Sequence, residues 1–395
     1  MRLLCAELGH PQRSYDSLHV VGTNGKSSVT TMCAAMLSVS GLRSGACISP
    51  HAWRWSERTR IDGVEVGDEA FAAAVEEVAR AITSVQAGLG EDERITQFEA
   101  AIAASFVILA RAEVDVAVVE AGLGGRLDAT NVIPSRATAL TTVGLDHVEW
   151  LGRTELKIAA EKLSVLQPGT ALVIGELAPE VAALAHRVAV ERDATVVVAE
   201  PVPSELMPGN LAPFLARNAG VAVALAAVVS GNLAADEIAA GLAAARLPGR
   251  AELLGGDPPL LADAAHNEQG ARALAEALPA LAGGRPVIAC LSILADKDCP
   301  AIITALAPAL AGAVCTAAEP GPAIGRPGAH AESPEELRRL LTAAGVESEV
   351  VRDPEGAVGR ALGLARDRSG VALCAGSHYL LRYAWTARHA QNFSR

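Results

Sequence analysis

LHVVGTNGKSSVTTMCAAML, residues 18–37, runs from a short apolar stretch through a glycine turn into a helix-forming stretch. A buried strand that ends in such a turn and opens a helix is the repeating unit of a parallel α/β sheet. Gly22 and Gly25 let the backbone turn tightly so that successive N–H groups face one point, Lys26 adds a positive charge there, and Ser27 or Ser28 offers a hydroxyl. That is the equipment for a phosphate group and its Mg²⁺. The segment is shorter than the GxxxxGK[ST] form and lacks its first glycine. An ordinary strand-to-helix turn, however, has no use for a lysine and two serines together.

Working outward, apolar runs at 18–22, 114–120, 137–144, 170–175 and 194–200 read as buried strands of a parallel sheet. Helices are predicted over 26–40, 68–89, 97–112, 154–166, 178–191 and 212–230. An Ala-rich helix over 236–246 then gives way to Leu247, Pro248 and Gly249, a helix-ending signature that marks a domain boundary at about 246. A second α/β unit follows. Its strands are predicted near 251–255, 259–263, 286–291, 312–316, 348–351 and 371–375, and its helices near 268–282, 298–309, 333–344 and 354–367. At roughly 100–200 residues per domain, a chain of 395 residues suits the two domains 1–246 and 247–395.

Hydrophobic residues at 51% and charged residues at 20% describe a globular chain. Aromatic residues at 3% speak against a stacking platform for single strands, and a net charge of −12 speaks against any nucleic-acid partner. An anionic ligand must then be held by local donors. The cysteines at 5, 33, 47, 290, 299, 315 and 374 form no CxxC pair, which suits neither a disulfide framework nor a structural zinc site, so the reducing cytoplasm is expected. The longest uncharged run, which includes Pro300 to Ala318, contains Pro300 and Pro308 and reads as a surface-packed helix broken by proline rather than a membrane span. No signal peptide is expected either, because Glu7 falls in what would be its apolar region.

Four further segments carry chemistry. ISPHAWRWSERTRIDG (48–63) places Ser49, Pro50 and His51 after a strand, followed by Glu57, Arg58 and Arg60; alone it reads as a polar loop with a solvated charge cluster. In VVEAGLGGRLDATNVI (118–133) a buried strand ends in Glu120 and enters a loop with Gly122, Gly124 and Gly125. A carboxylate at the carboxyl end of a parallel strand suits Mg²⁺ or an attacking water. TTVGLDHVEWLGRT (141–154) repeats the arrangement with Asp146 and His147, though His147 could equally be a hydrogen-bonded, half-buried histidine. IAAEKLSVLQPG (158–169) supplies Lys162, which alone reads as an exposed helix lysine.

Taken in order, HVVGTNGKSS, ISPH…ER, TQFE, VVEAGLGGRLDATN, GLDHVEWLG, IAAEK, LPGR, DAAHN, ADKD and GSHYL resemble the folylpolyglutamate synthase and dihydrofolate synthase family of the Mur ligase superfamily. The resemblance runs from about Leu3 to Arg382. It implies an α/β fold: a P-loop NTPase-like parallel-sheet ATPase domain over 1–246, which also holds the pterin or other acceptor, and a smaller Rossmann-like α/β glutamate-ligase domain over 247–395. It further implies that Gly22, Thr23, Asn24, Gly25, Lys26, Ser27 and Ser28 form the ATP phosphate loop, with Asn218, Arg250 and Asp263 as further nucleotide contacts. Ser49, Glu120 and His147 match magnesium ligands, with Ser28 near the nucleotide-bound ion. Lys162 matches a lysine that is carbamoylated in relatives, which would turn a cation into a carboxylate-like ligand. Thr96, Gln97, Phe98 and Glu99, with Leu127, Asp128 and Ala129, match the pterin-binding segments, while His266 and Ser377 correspond to residues near the incoming amino acid. Lys26, Lys162 and His266 are the expected catalytic groups.

The implied cofactors are ATP and Mg²⁺, and the implied partners are a folate or dihydropteroate and L-glutamate, with no nucleic acid, no membrane and a monomeric chain. The chain departs from the usual family pattern in GKSS (25–28) and DAAHNE (263–268), in a shorter lead-in before the first strand, and in the bulk of Trp53 and Trp55. Those departures leave open a diverged amide ligase of specialised metabolism that joins another carboxylic acid to an amino acid. A non-catalytic nucleotide-binding switch or a kinase would use the same phosphate loop, but neither needs an amino-acid site.

Overall fold

The chain was described from a computed structural model covering residues 1–51, 53–90, 92–209, 212–319 and 328–392, with side chains through Arg388. The five apolar runs become strands with shifted ends, β1 (Asp16–Val21), β5 (Val116–Glu120), β6 (Ser135–Leu140), β7 (Ala171–Ile174) and β8 (Thr195–Val198), and three strands outside those runs join them, β2 (Ser44–Cys47), β3 (Thr59–Ile61) and β4 (Val64–Glu65). They form one sheet in the order β4-β3-β2-β5-β1-β6-β7-β8. The six strands from β2 to β8 in that order are parallel, whereas β3 and β4 add an antiparallel edge. All five residues of β5, VAVVE, are buried, as a strand covered on both faces requires, and each buried valine contributes about 1.5–3 kcal/mol. On one face Ile102, Phe106 and Leu109 of helix Gln97–Arg111 cluster with Ala117 and Val119.

Two expectations change here. The segment 48–63 is no solvated loop: His51, Ser56, Arg58, Thr59 and Arg60 are all buried, because β3 pairs with β2 and closes the sheet edge. β6 stops at Leu140, and the residues 141–144 form a turn that packs against the phosphate loop. Among the described residues Pro213–Ser230 is the helix long and apolar enough to cross a membrane. Its Leu215, Ala219, Ala222 and Leu225 are buried in the protein core.

The chain divides into two compact units, Met1–Pro208 with Leu215–Arg246, and Leu247–Arg395 with Gly209–Phe214. The second unit contains β9 (Glu252–Leu253), β10 (Leu260–Ala262), β11 (Val287–Leu291), β12 (Gly312–Cys315), β13 (Ser348–Val350) and β14 (Val371–Ala375), in the order β13-β12-β11-β14-β10-β9. All are parallel except β9. Alternate residues serve opposite faces: Val287, Ala289 and Leu291 join one core cluster, Ile288 and Cys290 the other. A terminal helix, His378–Asn392, was not read from the sequence, since its polar residues blur the apolar period.

Candidate active site

Gly22 and Gly25 set the shape of the phosphate loop. A Cβ at Gly22 would stand 1.9 Å from Thr141 Oγ1, and one at Gly25 would stand 2.5 Å from Asn218 Oδ1. Gly25 also has φ 84°, a left-handed conformation that glycine adopts at little cost, and it caps helix Lys26–Val39. The turn after β6 braces the loop: Thr23 N–H donates to Thr142 O at 2.8 Å, and Thr141 Oγ1 donates to Asn24 O at 2.6 Å. Asn218 is thereby placed on the loop with the glycines. Lys26 Nζ folds back onto the Gly22 and Thr23 carbonyls at 3.1 and 3.0 Å.

Glu120, buried at the carboxyl end of β5, accepts from Ser27 Oγ at 3.0 Å and from the Ser49 N–H at 2.9 Å. Ser27, rather than Ser28, thus faces the carboxylate. Consecutive helix residues project about 100° apart, so only one serine can do so, and Ser28 Oγ is buried without a hydrogen-bond partner. The hydroxyl that meets the carboxylate is therefore that of Ser27, next in the chain to the Ser28 that the resemblance places near the ion. Ser49 meets Glu120 through its backbone. His147 sits in a left-handed conformation after β6, its Nε2 3.8 Å from Asp146 Oδ1. Among the described residues no three His, Cys, Asp or Glu side chains group as a metal cluster. The donor set at Glu120 is all oxygen with one carboxylate, and it fits a hard divalent cation that keeps water and phosphate as its other ligands.

Lys162 overturns the reading of an exposed helix lysine: it is 4% exposed and donates to the Gly22 carbonyl at 2.7 Å. Burial, then the Lys26 ammonium, lower its pKa to about 7, against the opposing pull of Asp146, Asp128 and Glu161. Gly125 lets the loop after β5 lie on the lysine's helix, since a Cβ there would stand 2.4 Å from Glu161 O.

The expected acceptor segments divide. Thr96 and Glu99 spend their polar atoms on a reciprocal helix cap, Thr96 Oγ1 accepting from Glu99 N–H at 3.1 Å and Glu99 Oε2 accepting from Thr96 N–H at 2.9 Å. The Met1 ammonium donates to Glu99 Oε1 at 2.7 Å. Gln97 is exposed, Phe98 packs on Gly122, Leu127 is 82% exposed, and Ala129 is buried in the core. Asp128 braces its own loop by accepting from Leu123 N–H and Thr130 N–H at 2.8 and 2.9 Å. Two groups went unread. His19, on β1, shares a 2.8 Å hydrogen bond with Thr130 Oγ1, and burial pushes its pKa down to about 3; a histidine inside an otherwise apolar strand was the available signal. The other is the buried hydrogen bond between His51 and Arg58, two residues named in the sequence but read as part of a solvated loop.

In the second unit Asp263 lies just past β10, and its two oxygens accept from Ala251 N–H and Ala265 N–H, each at 2.7 Å. Burial pushes its carboxyl up. It braces the strand ends that carry Arg250 and His266. His266 Nδ1 lies 2.8 Å from Ala264 O, which assigns the proton to Nδ1 and leaves Nε2 as the acceptor. The His378 ring, unread in the sequence, has its centroid 5.5 Å from that of His266. Ser377, buried beside it after β14, accepts from Tyr379 N–H at 3.2 Å.

Residues 249–378 match the family model described as Mur ligase, glutamate ligase domain. The Mycobacterium tuberculosis dihydrofolate synthase/folylpolyglutamate synthase is 34% identical over 348 residues, 78% of this chain and 72% of that one. The Lacticaseibacillus casei folylpolyglutamate synthase is 35% identical over 318 residues, 74% of each chain. Among solved structures, the M. tuberculosis folylpolyglutamate synthase complexed with ADP superposes with a TM-score of 0.89 at 30% identity, over 98% of this chain and 93% of that one. The Escherichia coli FolC in complex with DHPP and ADP gives 0.83 at 27% identity, over 99% and 92%. A Yersinia pestis folylpolyglutamate synthase/dihydrofolate synthase with Mn, AMPPNP and L-glutamate bound gives 0.81 at 28% identity, over 98% and 92%. With a glycine-cradled lysine, a carboxylate–hydroxyl pair at the next strand and a matching second unit, the chain belongs to the folylpolyglutamate synthase/dihydrofolate synthase family of the Mur ligases.

Proposed function

We propose that the chain is an ATP-dependent ligase that adds L-glutamate to the carboxylate of a folate or dihydropteroate, releasing ADP and phosphate. The observation that carries this reading is the Ser27–Glu120–Ser49 group set against the lysine-bearing phosphate loop. The ligands named in the relatives' structures, ADP, DHPP and L-glutamate, agree with it.

In this reading the loop N–H groups from Gly22 to Ser28 and the Lys26 ammonium hold the ATP phosphates, with Asn218, Arg250 and Asp263 at the rest of the nucleotide. An acceptor carboxylate oxygen attacks the γ-phosphorus, the bond to ADP breaks, and an acyl phosphate forms; Lys26 turns from its carbonyls toward the developing charge. The amine of glutamate then attacks the acyl carbon, phosphate leaves, and His266 Nε2 accepts the proton of the amine. Ser377 and His266 position the amino acid. Glu120 and Ser27, with Ser49, His147 and a carbamoylated Lys162, would hold Mg²⁺, which neutralises phosphate charge when bound. Residues 1–246 supply the phosphate loop and the acceptor site and residues 247–395 the amino-acid site, in a monomeric cytoplasmic enzyme. Phe98, Leu127, Asp128 and Ala129 form the acceptor segments, together with Gln97; Thr96 and Glu99 shape them through the helix cap.

ADP release measured with dihydropteroate or a reduced folate, with and without glutamate, tests the reading. Release that requires both, with a product one glutamyl residue heavier, is the expected result. Release with another acid but with neither pteridine would favour the diverged ligase.

A further inference from the structure

One buried polar pair in the first unit has no part in the reaction as drawn. Arg58 is buried, with its guanidinium carbon 4.6 Å from the Trp55 ring centroid and 6.0 Å from that of Phe98. Its Nε donates to His51 Nδ1 at 2.8 Å. Arginine has no acceptor, so His51 Nδ1 carries no proton and the imidazole proton sits on Nε2, at the ring edge away from Arg58. The ring is held further by Trp55, centroid to centroid at 4.4 Å. His51 is 4% exposed, yet its Nε2 has no hydrogen-bond partner. Buried N–H donors are nearly always paired, and an exception calls for an acceptor that a bound ligand supplies.

The position of the pair says which acceptor. His51 is two residues from Ser49, whose N–H binds the Glu120 carboxylate, so one end of the segment lies at the phosphate chemistry. At the other end Arg58 reaches Phe98, whose ring packs on Gly122 in the loop that leaves β5. A group that spans these two neighbourhoods carries a pterin-like body and a reacting carboxylate.

We propose that His51 Nε2–H donates to a carboxylate oxygen of the acceptor acid and keeps that contact in the acyl phosphate, while Arg58 is a positioning residue that fixes the tautomer and ring plane of His51. The inference rests on the ligase reading above. Removing one hydrogen bond to a charged oxygen costs about tenfold to a hundredfold.

The test uses the full chain with dihydropteroate, or whichever pterin acid it accepts. His51→Phe keeps an aromatic ring without the donor, His51→Gln restores an N–H near the Nε2 position, and Arg58→Gln frees the tautomer. The expected result is a loss of about tenfold to a hundredfold in kcat/KM for the acceptor in His51→Phe, partial recovery in His51→Gln, and ADP affinity and glutamate KM within twofold of the parent chain. In nitrogen-15 spectra the parent chain should show an Nε2–H imidazole whose proton shifts on adding the acceptor and not on adding glutamate, with a mixed tautomer in Arg58→Gln. That spectrum stands if His51→Phe fails to fold. An active parent chain with unchanged acceptor kinetics in folded His51→Phe, or an Nε2–H signal blind to the acceptor, overturns the inference alone. A parent chain that ligates no acid overturns the ligase reading and this inference with it.

Discussion

Lys162 and Lys26 converge on one carbonyl, that of Gly22, and the consequence is measurable. The pKa of Lys162 falls from 10.5 to about 7 in the folded chain. Between these values the unfolded chain binds more protons than the folded one, so stability rises with pH across about pH 7 to 10.5, by up to about 1.4 kcal/mol per unit, and the penalty is fully present below pH 7. In CO2-free buffer, urea unfolding of Lys162→Met should lose this rise and exceed the parent chain in stability at pH 6. A parent curve as flat as that of the variant would put Lys162 in solvent. The same depressed pKa keeps free amine present near neutral pH, the form that adds CO2 to give a carbamate. Intact mass measured without acid should then show one added carboxyl group, and acetate should partly restore Lys162→Ala.

Lys26→Ala should lower ligation by roughly 10²–10³, the usual loss for one donor to developing charge, while leaving the fold intact. Turnover above about a third of the parent value would remove Lys26 from the phosphate. Glu120→Gln can still accept from Ser49 and meet Ser27, so its unfolding midpoint should stay close to the parent's while its Mg²⁺ requirement rises. The double variant with Ser27→Ala should cost much less than the sum of the two single losses, because both groups serve one ion. Additive losses would mean separate roles.

At the level of elements, the phosphate loop is legible because its chemistry is local: strand, glycines, lysine and serines are adjacent in the chain. Gly22→Ala drives a Cβ into Thr141 Oγ1 and toward the Thr142 carbonyl, so it should lower stability by about 1–3 kcal/mol and weaken ADP binding at least tenfold. Thermal melting and ADP titration check both, and a variant that binds ADP like the parent would mean the loop has room the structure does not show. β2 was legible only as a strand preceding Ser49, without bounds or a place in the sheet, for the opposite reason. Its sequence, Ser-Gly-Ala-Cys, has no apolar run, and it is buried only because β5, more than seventy residues later in the chain, pairs beside it. The burial of Arg58 and Arg60 follows from that long-range pairing, which is why a run of charges looked solvated. Thr96 and Glu99 show the converse: S/T-x-x-E is a helix-cap spacing that the sequence carries locally, and the structure forms the cap within the segment that the resemblance matches to pterin binding.

Over the whole molecule, the alternation of apolar runs and amphipathic stretches predicts two α/β units, and the strand list of the second matches the structure element for element. What the pattern could not supply is which strand ends lie side by side. Asp263 and Ser377 are brought to neighbouring strands β10 and β14, and with them His266 and His378, by a pairing across more than a hundred residues. His266→Ala should therefore raise the glutamate KM by tenfold or more with ADP affinity unchanged. Equal effects on both would place His266 at the nucleotide instead.

The account requires the acceptor carboxylate to attack ATP directly and an oxygen of that carboxylate to leave with phosphate when the amide forms. Dihydropteroate, or another accepted pterin acid, labelled with oxygen-18 in the carboxylate tests this in one turnover. The expected result is inorganic phosphate carrying one labelled oxygen for each amide made; unlabelled phosphate alongside amide product, or a phosphorylated acceptor that glutamate does not consume, would contradict it.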